Sequence, residues 1–268
     1  MFLIAGLEII NQTFMEQAKV AELSGTNVII EFSGKKVELA DSVQRKIDDY
    51  WDMLLASGKK NYFRGDVFTV TVVAAKNDVV HVLVEKTDFA HYLYCQNVDA
   101  HLDGFGIRII HPACLVETLD GKTIFGEMAK WTSRGGIFQL CGGGFDGDDL
   151  QGNFFDSDHC IKKELLEELE IDLNDARRVR SFEKKYLKEG GPTNKLSLIY
   201  ELVLAEDSEQ FLKKYDNFEK KLRAKKELPE FEKLIVLEKN KKEIKDFFSK
   251  NGAKCDEYME PLFRFRYS

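Results

Sequence analysis

The 268-residue chain has few prolines, few cysteines and no excess of basic residues. Only 4 prolines occur, and the first is Pro112, so no proline-rich linker divides the chain. The 5 cysteines are odd in number and scattered, without Cys-x-x-Cys spacing, which argues against a disulfide framework and against a zinc site. This cysteine usage favours a reducing compartment, and we expect a cytoplasmic location.

Charge and hydropathy argue against two further classes of protein. The chain carries 46 acidic and 39 basic residues, whereas binding to the phosphate backbone of a nucleic acid needs clustered lysine and arginine. The apolar first ten residues contain Glu8, and no cation precedes Lys19, which is unlike a secretory signal. No apolar run approaches the roughly 18 residues of a membrane-spanning helix. We therefore expect neither a nucleic-acid partner nor a membrane partner.

The apolar content is that of an ordinary globular protein, at 44% of the residues. Residues 98–106 have the polar, glycine-bearing character of a connection, and we place a domain boundary there. Residues 1–104 would form a smaller N-terminal α+β domain, and residues 105–268 a second domain in which helices and strands form α/β layers.

Hydrophobic periodicity predicts the main elements of both parts. Residues 27–32 and 35–39 flank a Ser-Gly pair, which predicts a β-hairpin, and residues 40–57 have a helical period. Residues 156–171 give the clearest helix prediction in the chain. Further strands are predicted at 66–75, 78–86, 107–118, 122–129, 180–189, 195–205 and 234–238.

One stretch has a pattern with chemical meaning. Three consecutive glycines at 142–144 open an acidic loop, and the helix that follows has glutamates spaced three and four residues apart, at Glu164, Glu167 and Glu168. Helical residues at these spacings share a face, so the carboxylates repel one another unless a cation neutralises them. Hard divalent ions such as Mg²⁺ take oxygen ligands and are commonly shared between carboxylates and substrate phosphates.

This stretch resembles the signature of the Nudix hydrolases, G-x5-E-x7-R-E-U-x-E-E-x-G-U, in which U is an apolar residue. The signature glycine falls on Gly143 and the first acidic position on Asp149. The second half matches at Glu164, Leu165, Glu167, Glu168 and Ile171. The strand before the glycines is also similar to the one that enters the signature in this family, with Cys141 in place of proline. The resemblance covers about residues 105–250.

The chain departs from the signature at several positions. Asp149 stands in place of glutamate, and thirteen residues instead of seven separate it from Lys163, which is an insertion of six. Lys163 replaces an arginine, whose planar fork binds a carboxylate at two points, whereas lysine offers a point charge. Glu170 replaces a glycine suited to the left-handed end of a helix.

The resemblance implies an α/β/α sandwich with a mixed sheet and the activity of a metal-dependent pyrophosphohydrolase. Its substrate would be a nucleoside diphosphate derivative, such as a nucleotide sugar, ADP-ribose or a dinucleotide. Mg²⁺ or Mn²⁺ bound by Glu164, Glu167 and Glu168 would polarise the phosphoryl oxygens. Lys163 and Glu230 complete the implied catalytic set. The candidate substrate-binding residues are Arg134, Gly142, Gly143 and Gly144.

Alternatives remain for the general base and for the function. The base is Glu164 or a carboxylate from a later loop, for which Glu227, Glu230 and Glu232 are candidates. Lys163 and the insertion favour a second hypothesis, a Nudix-fold nucleotide-binding sensor without hydrolytic activity. A third hypothesis is an interaction module in which the acidic helix is only a solvated face.

The N-terminal residues have two predicted contributions. We expect them to cover or shape the substrate site, and they are also candidates to form a homodimer interface. Core packing is the expected role of most aromatic residues, although Tyr62, Phe63, Tyr92 and Tyr94 are candidates to stack on a base.

Overall fold

The computed structural model describes residues 17–58 and 62–267, where the chain forms six α-helices and two mixed β-sheets. The expectation for the first ten residues lies outside the described residues. The helices are α1 (Asp41–Ala56), α2 (Phe89–Asn97), α3 (Ser157–Leu169), α4 (Ser208–Ala224), α5 (Lys241–Asn251) and α6 (Met259–Tyr267). The strands are β1 (Lys19–Glu22), β2 (Asn27–Lys36), β3 (Asp66–Lys76), β4 (Val79–Asp88), β5 (Ile110–Glu117), β6 (Lys122–Met128), β7 (Phe138–Gln139), β8 (Leu150–Gln151), β9 (Phe154–Phe155), β10 (Val179–Glu189), β11 (Leu196–Leu204) and β12 (Phe231–Glu238).

The larger sheet has the strand order β1-β10-β11-β5-β6-β12, and β7 pairs with β6. The pair β11 and β5 is parallel, and the other neighbours are antiparallel. Successive side chains of a strand point to opposite faces. In β5, Cys114 and Val116 belong to the core that includes α3 and α4, whereas Ala113 and Leu115 belong to the core that includes α5 and α6. Helices therefore cover both faces of a mixed sheet, and the predicted α/β/α sandwich is confirmed.

The smaller sheet has the strand order β3-β4-β2-β9-β8. The hairpin predicted at residues 27–39 is wrong, because residues 27–36 form the single strand β2. This strand runs parallel to β4, and its register shifts between Phe32 and Lys36. Gly34 lies at a φ of 76°, a backbone state that suits glycine, so the Ser-Gly pair forms an irregularity within the strand instead of a turn.

The inserted residues of the signature belong to this smaller sheet. They form the short strands β8 and β9, and β9 pairs with β2 through Phe154 and Glu31. The ring of Phe155 lies 4.6 Å from that of Phe68 in β3 and 5.0 Å from that of Phe145 in the glycine-rich loop. The insertion thus joins the loop to the N-terminal strands.

The N-terminal segment also contributes to the larger sheet. Strand β1 pairs antiparallel with β10, from Lys19 opposite Glu189 to Glu22 opposite Tyr186. Residues on both sides of position 104 therefore take part in both sheets, and the domain boundary placed there stays a prediction. Within residues 17–58 and 62–267, none of the helices combines the length and the apolar character of a membrane-spanning segment.

Helices α1 and α2 pack on each other beside the smaller sheet. Val43, Ile47 and Trp51 of α1 share a buried cluster with Ala90 and Leu93 of α2. The helix predicted at 40–57 is confirmed as α1. The aspartate that precedes α2 caps the helix: its carboxylate accepts a hydrogen bond from a backbone N–H of the first turn. This packing places the first turn of α2 at the wall of the cavity described below.

Candidate active site

A cavity of about 470 Å³ lies where the glycine-rich loop meets α3, and its wall includes residues of β3, α2 and β5. This volume is in the range of small-molecule binding sites. The residues that line it include four glutamates, Glu164, Glu167, Glu168 and Glu230. The N-terminal side contributes Asp66, Val67, Phe68, Phe89 and Tyr92. Both halves of the chain therefore form this one site.

Helix α3 brings three of these glutamates to the cavity. The helix begins after Asp156, whose carboxylate accepts hydrogen bonds from the backbone N–H groups of residues 158 and 159. Ile161, Leu165 and Leu169 form a buried stripe against the sheet. Because these apolar residues fix the rotation of the helix, the glutamates at positions 164, 167 and 168 border the cavity. The helix predicted at 156–171 is confirmed.

The glycine loop fits closely around the glutamates. The backbone N–H of Gly142 donates a hydrogen bond to Oε2 of Glu168 at 3.0 Å. A Cβ atom at Gly143 would lie 2.2 Å from Oε1 of Glu164, so the carboxylate occupies the space that any other side chain would need. Gly144 has no atom within 4 Å of such a position. The three glycines therefore have different roles.

Glu164, Glu168 and Glu230 share an electrostatic environment that disfavours their charged forms. Burial, followed by repulsion from Glu230 and Glu167, raises the pKa of Glu164 to about 8. Burial and the charges of Glu164 and Glu230 also raise the pKa of Glu168. For Glu230, burial and repulsion from Glu167 raise the pKa. A cation bound among these carboxylates would relieve this repulsion.

The donor chemistry of this group fits a hard divalent ion. In the part of the chain that the structure describes, no three His, Cys, Asp or Glu side chains are placed to hold a metal ion together in their present conformations. Four carboxylates nevertheless border one cavity, and Gly143 leaves the space that the Glu164 carboxylate fills. Mg²⁺ and Mn²⁺ prefer such oxygen donors and keep further positions for water and phosphate.

Lys163 connects the helix to the acidic loop. Its Nζ lies 2.7 Å from Oδ2 of Asp146 and 3.4 Å from Oδ1 of Asp149. Burial lowers the pKa of this lysine, but the hydrogen bond to Asp146 and the charge of Asp149 outweigh burial and raise it. Asp149 is fully buried and also accepts a hydrogen bond from the backbone N–H of Asp146. Lys163 is not among the described residues that line the cavity, and its catalytic role stays a prediction.

Glu170 occupies the end of α3 where the family signature has glycine. It is the C-cap residue and lies at a φ of 53° and a ψ of 37°, in the left-handed region. Its carboxylate pairs with Lys221 at 2.6 Å on the surface. Glu170 therefore adopts the left-handed backbone conformation that glycine favours at a helix end, at the cost of strain that glycine would avoid.

Two candidates from other segments reach the same cavity. Glu230 lies just before β12 and lines it, whereas Glu227 and Glu232 do not belong to the wall that the structure describes. Arg134 follows β6, lines the cavity and donates a hydrogen bond from Nη2 to Oδ2 of Asp256 at 2.6 Å. The pairing of β12 with β6 brings these two segments together.

The structure adds residues to the wall that the sequence analysis missed. Lys195 and Asp256 line the cavity and form an ion pair, and His111 and Tyr258 line it beside them. These residues are far apart in the chain and belong to no recognisable motif. They can be recognised only in the folded structure, where a buried lysine pairs with a buried aspartate from a distant part of the chain.

Three solved structures are distantly similar to the chain. DR0079 from Deinococcus radiodurans matches with a TM-score of 0.39 and 12% identity, over 60% of this chain and 84% of that one. A bifunctional NMN adenylyltransferase/ADP ribose pyrophosphatase from Francisella tularensis, complexed with AMP and a Mn ion, matches with a TM-score of 0.38 and 14% identity, over 60% of this chain and 42% of that one. The NUDIX domain of Shewanella oneidensis NrtR, complexed with ADP ribose, matches with a TM-score of 0.25 and 10% identity, over 49% of this chain and 96% of that one. No protein-family model and no curated protein sequence matches the chain.

Proposed function

We propose that the protein is a metal-dependent hydrolase that cleaves the diphosphate linkage of a nucleoside diphosphate derivative, such as a nucleotide sugar, ADP-ribose or a dinucleotide. The observation that carries the proposal is the placement of four glutamates and the glycine loop around one cavity. The carboxylate of Glu164 fits against Gly143, and that of Glu168 accepts the N–H of Gly142. This arrangement combines cation-binding oxygens with backbone that a phosphate group can approach.

The glutamates of α3 are the proposed metal ligands. Glu164, Glu167 and Glu168 would bind Mg²⁺ or Mn²⁺, which when bound supplies polarisation of the phosphoryl oxygens and a lower pKa for the attacking water. The glycine loop would hold the phosphates close to these carboxylates. Arg134 would neutralise part of the negative charge of the substrate.

Glu230 is the proposed general base. It comes from a different segment than the three ligands and borders the same cavity. Burial and repulsion raise the pKa of Glu230 towards neutral pH, and a pKa near the working pH suits a group that takes a proton from water. The water oxygen attacks phosphorus, the bond from phosphorus to the leaving phosphate oxygen breaks, and Glu230 keeps the proton.

A substrate panel tests the proposal. Nucleotide sugars, ADP-ribose and dinucleotides are incubated with the protein and Mg²⁺ or Mn²⁺, and nucleoside monophosphates are separated by chromatography. We expect release of a monophosphate from at least one class of substrate, and its loss when EDTA removes the ion. Absence of products across the panel would contradict hydrolysis. Thermal stabilisation by a nucleotide without turnover would then favour the sensor hypothesis.

Alanine substitutions are expected to separate the roles of the three glycines. Gly143→Ala should lower hydrolysis about a hundredfold with little loss of stability, because its Cβ displaces the Glu164 carboxylate. Gly142→Ala should lower the free energy of unfolding by about 1–3 kcal/mol, because its φ is 148° and its Cβ would lie 2.5 Å from the carbonyl oxygen of Pro112. Urea unfolding and product chromatography measure the two effects.

Gly144→Ala is the matched control for this series. No atom lies within 4 Å of the position that its Cβ would take, so stability should stay close to that of the wild-type protein, and hydrolysis should fall less than in Gly143→Ala. Similar effects at all three positions would contradict the separate roles that we assign to them.

A further inference from the structure

The cavity wall contains a charged cluster that takes no part in breaking the phosphorus–oxygen bond. Arg134 Nη2 lies 2.6 Å from Asp256 Oδ2, and Lys195 Nζ lies 2.6 Å from Asp256 Oδ1. All three residues line the cavity. Lys195 and Asp256 are each only 5% exposed, so the pair is almost fully removed from bulk solvent. We call these three residues the basic cluster.

The basic cluster carries an excess of one positive charge. Burial raises the pKa of Asp256, but Lys195 and Arg134 outweigh it and lower the pKa to about 2, so this residue is a carboxylate at neutral pH. His111 also lines the cavity; burial and the charge of Lys195 lower its pKa to about 3, and it is neutral. Within the cluster itself, two cations therefore face one anion, so an anionic group bound beside them would balance the remaining charge.

The basic cluster also has hydrogen-bond donors to spare. Nε of Arg134 is buried and has no hydrogen-bond partner. A guanidinium has five donors and an ammonium has three. Asp256, together with Gln96, which accepts from Nη1 of Arg134 at 3.5 Å, satisfies only part of them. Buried donors without partners cost free energy, and a ligand that accepts them recovers it.

A second buried lysine nearby, by contrast, has one carboxylate to itself. Lys188 has a fully buried side chain, and its Nζ lies 2.5 Å from Oε1 of Glu257. Its Nζ also donates to the carbonyl oxygen of Lys195. This pair has one cation for one carboxylate and does not belong to the cavity wall described above. The adjacent carboxylates 256 and 257 thus serve different purposes, one beside the cavity and one within the fold.

We propose that Arg134 and Lys195 form a subsite for a second anionic group of the substrate, a phosphate or carboxylate that it carries in addition to the diphosphate that is cleaved. The inference rests on the proposed function. The glutamates and the basic cluster line one cavity of about 470 Å³, so a single nucleotide derivative can contact both. Arginine binds such oxyanions at two points, and the excess charge disfavours substrates whose second group is uncharged.

Two pairs of probes test the subsite. UDP-glucuronate differs from UDP-glucose by a carboxylate on the sugar, and NADP⁺ differs from NAD⁺ by a phosphate on the nucleoside. Affinity is measured by calorimetry and kcat/KM by product chromatography, both with Mg²⁺. We expect the more anionic member of at least one pair to be preferred about tenfold to a hundredfold in affinity. Equal affinity within both pairs would overturn the proposal.

Variants assign the preference to the basic cluster. Lys195→Met and Arg134→Gln should each reduce the preference about tenfold or more, and Arg134→Gln serves alone where Lys195→Met does not fold. Lys188→Met is the matched control, because it also removes a buried lysine, one whose side chain does not line the cavity, so the preference should persist. A preference that survives both cavity variants would overturn the assignment.

The outcomes separate this inference from the proposed function. A preference in affinity without hydrolysis of any probe or of any substrate in the panel keeps the subsite and contradicts the hydrolase, whereas hydrolysis without a preference contradicts only the subsite. Inorganic phosphate is added to UDP-glucose as a further arm. If it increases affinity for UDP-glucose in the unchanged protein but not in Lys195→Met, the cluster binds a free anion, and the proposal of a substrate group is wrong.

Discussion

Replacing Glu164 by glutamine is expected to lower the rate of hydrolysis about a thousandfold while leaving the protein folded. The amide has the shape of the carboxylate but supplies no negative charge to a bound cation. A thousandfold lower rate corresponds to a loss of about 4 kcal/mol of transition-state stabilisation. The substitution also removes the repulsion among Glu164, Glu167 and Glu230. The free energy of unfolding in EDTA should therefore stay the same or rise, which urea titration measures.

The same variant should lose the response of stability to metal. A ligand that binds only the folded state at a hundredfold excess over its Kd stabilises a protein by about 2.7 kcal/mol. We expect Mg²⁺ or Mn²⁺ to raise the melting temperature of the wild-type protein and to raise that of Glu164→Gln much less. Glu170→Gln is the matched control, since this glutamate ends the same helix but pairs with Lys221 on the surface. Unchanged hydrolysis by Glu164→Gln would contradict the role that we assign to Glu164.

Local patterns predict those parts of the fold that depend on neighbours in the chain. The helix at 156–171 follows from its apolar stripe, and the hairpin of β5 and β6 follows from two apolar runs around an Asp-Gly turn. The failure at residues 27–39 has a local cause as well. Ser-Gly pairs mark both turns and bulges, and only the parallel partner β4 decides that Gly34 lies within a strand.

The candidate site likewise has one part that the local sequence predicts and one part that it does not. The glutamates of α3 and the glycine loop lie within one short stretch, so their spacing predicts their proximity. The ion pair of Lys195 and Asp256 joins residues 61 positions apart, and helix α6 beyond it has no distinctive pattern in the sequence analysis. Such long-range pairs are selected by burial across the whole fold, because a buried lysine is stable only where the fold supplies a carboxylate.

The six-residue insertion has a structural explanation that its sequence does not suggest. It places β9 beside β2, and the ring of Phe155 between those of Phe68 and Phe145. Phe68 and Phe145 both line the cavity. The insertion therefore links the glycine loop to the N-terminal sheet, whose strand β3 forms another part of the wall. The link explains how a lengthened loop remains compatible with an ordered site.

Phe155→Ala is expected to lower the free energy of unfolding by about 3–5 kcal/mol, since it removes a ring that is only 7% exposed and leaves a cavity between two aromatic neighbours. We also expect weaker substrate binding, because Phe68 and Phe145 lose the contact that holds them together. Urea unfolding followed by circular dichroism measures stability, and KM measures binding. Phe154→Ala is the matched control: its side chain is 49% exposed, and its backbone pairing with Glu31 is unaffected. Equal, small effects of both substitutions would mean that the insertion is a surface loop and that other contacts hold the two parts of the cavity wall together.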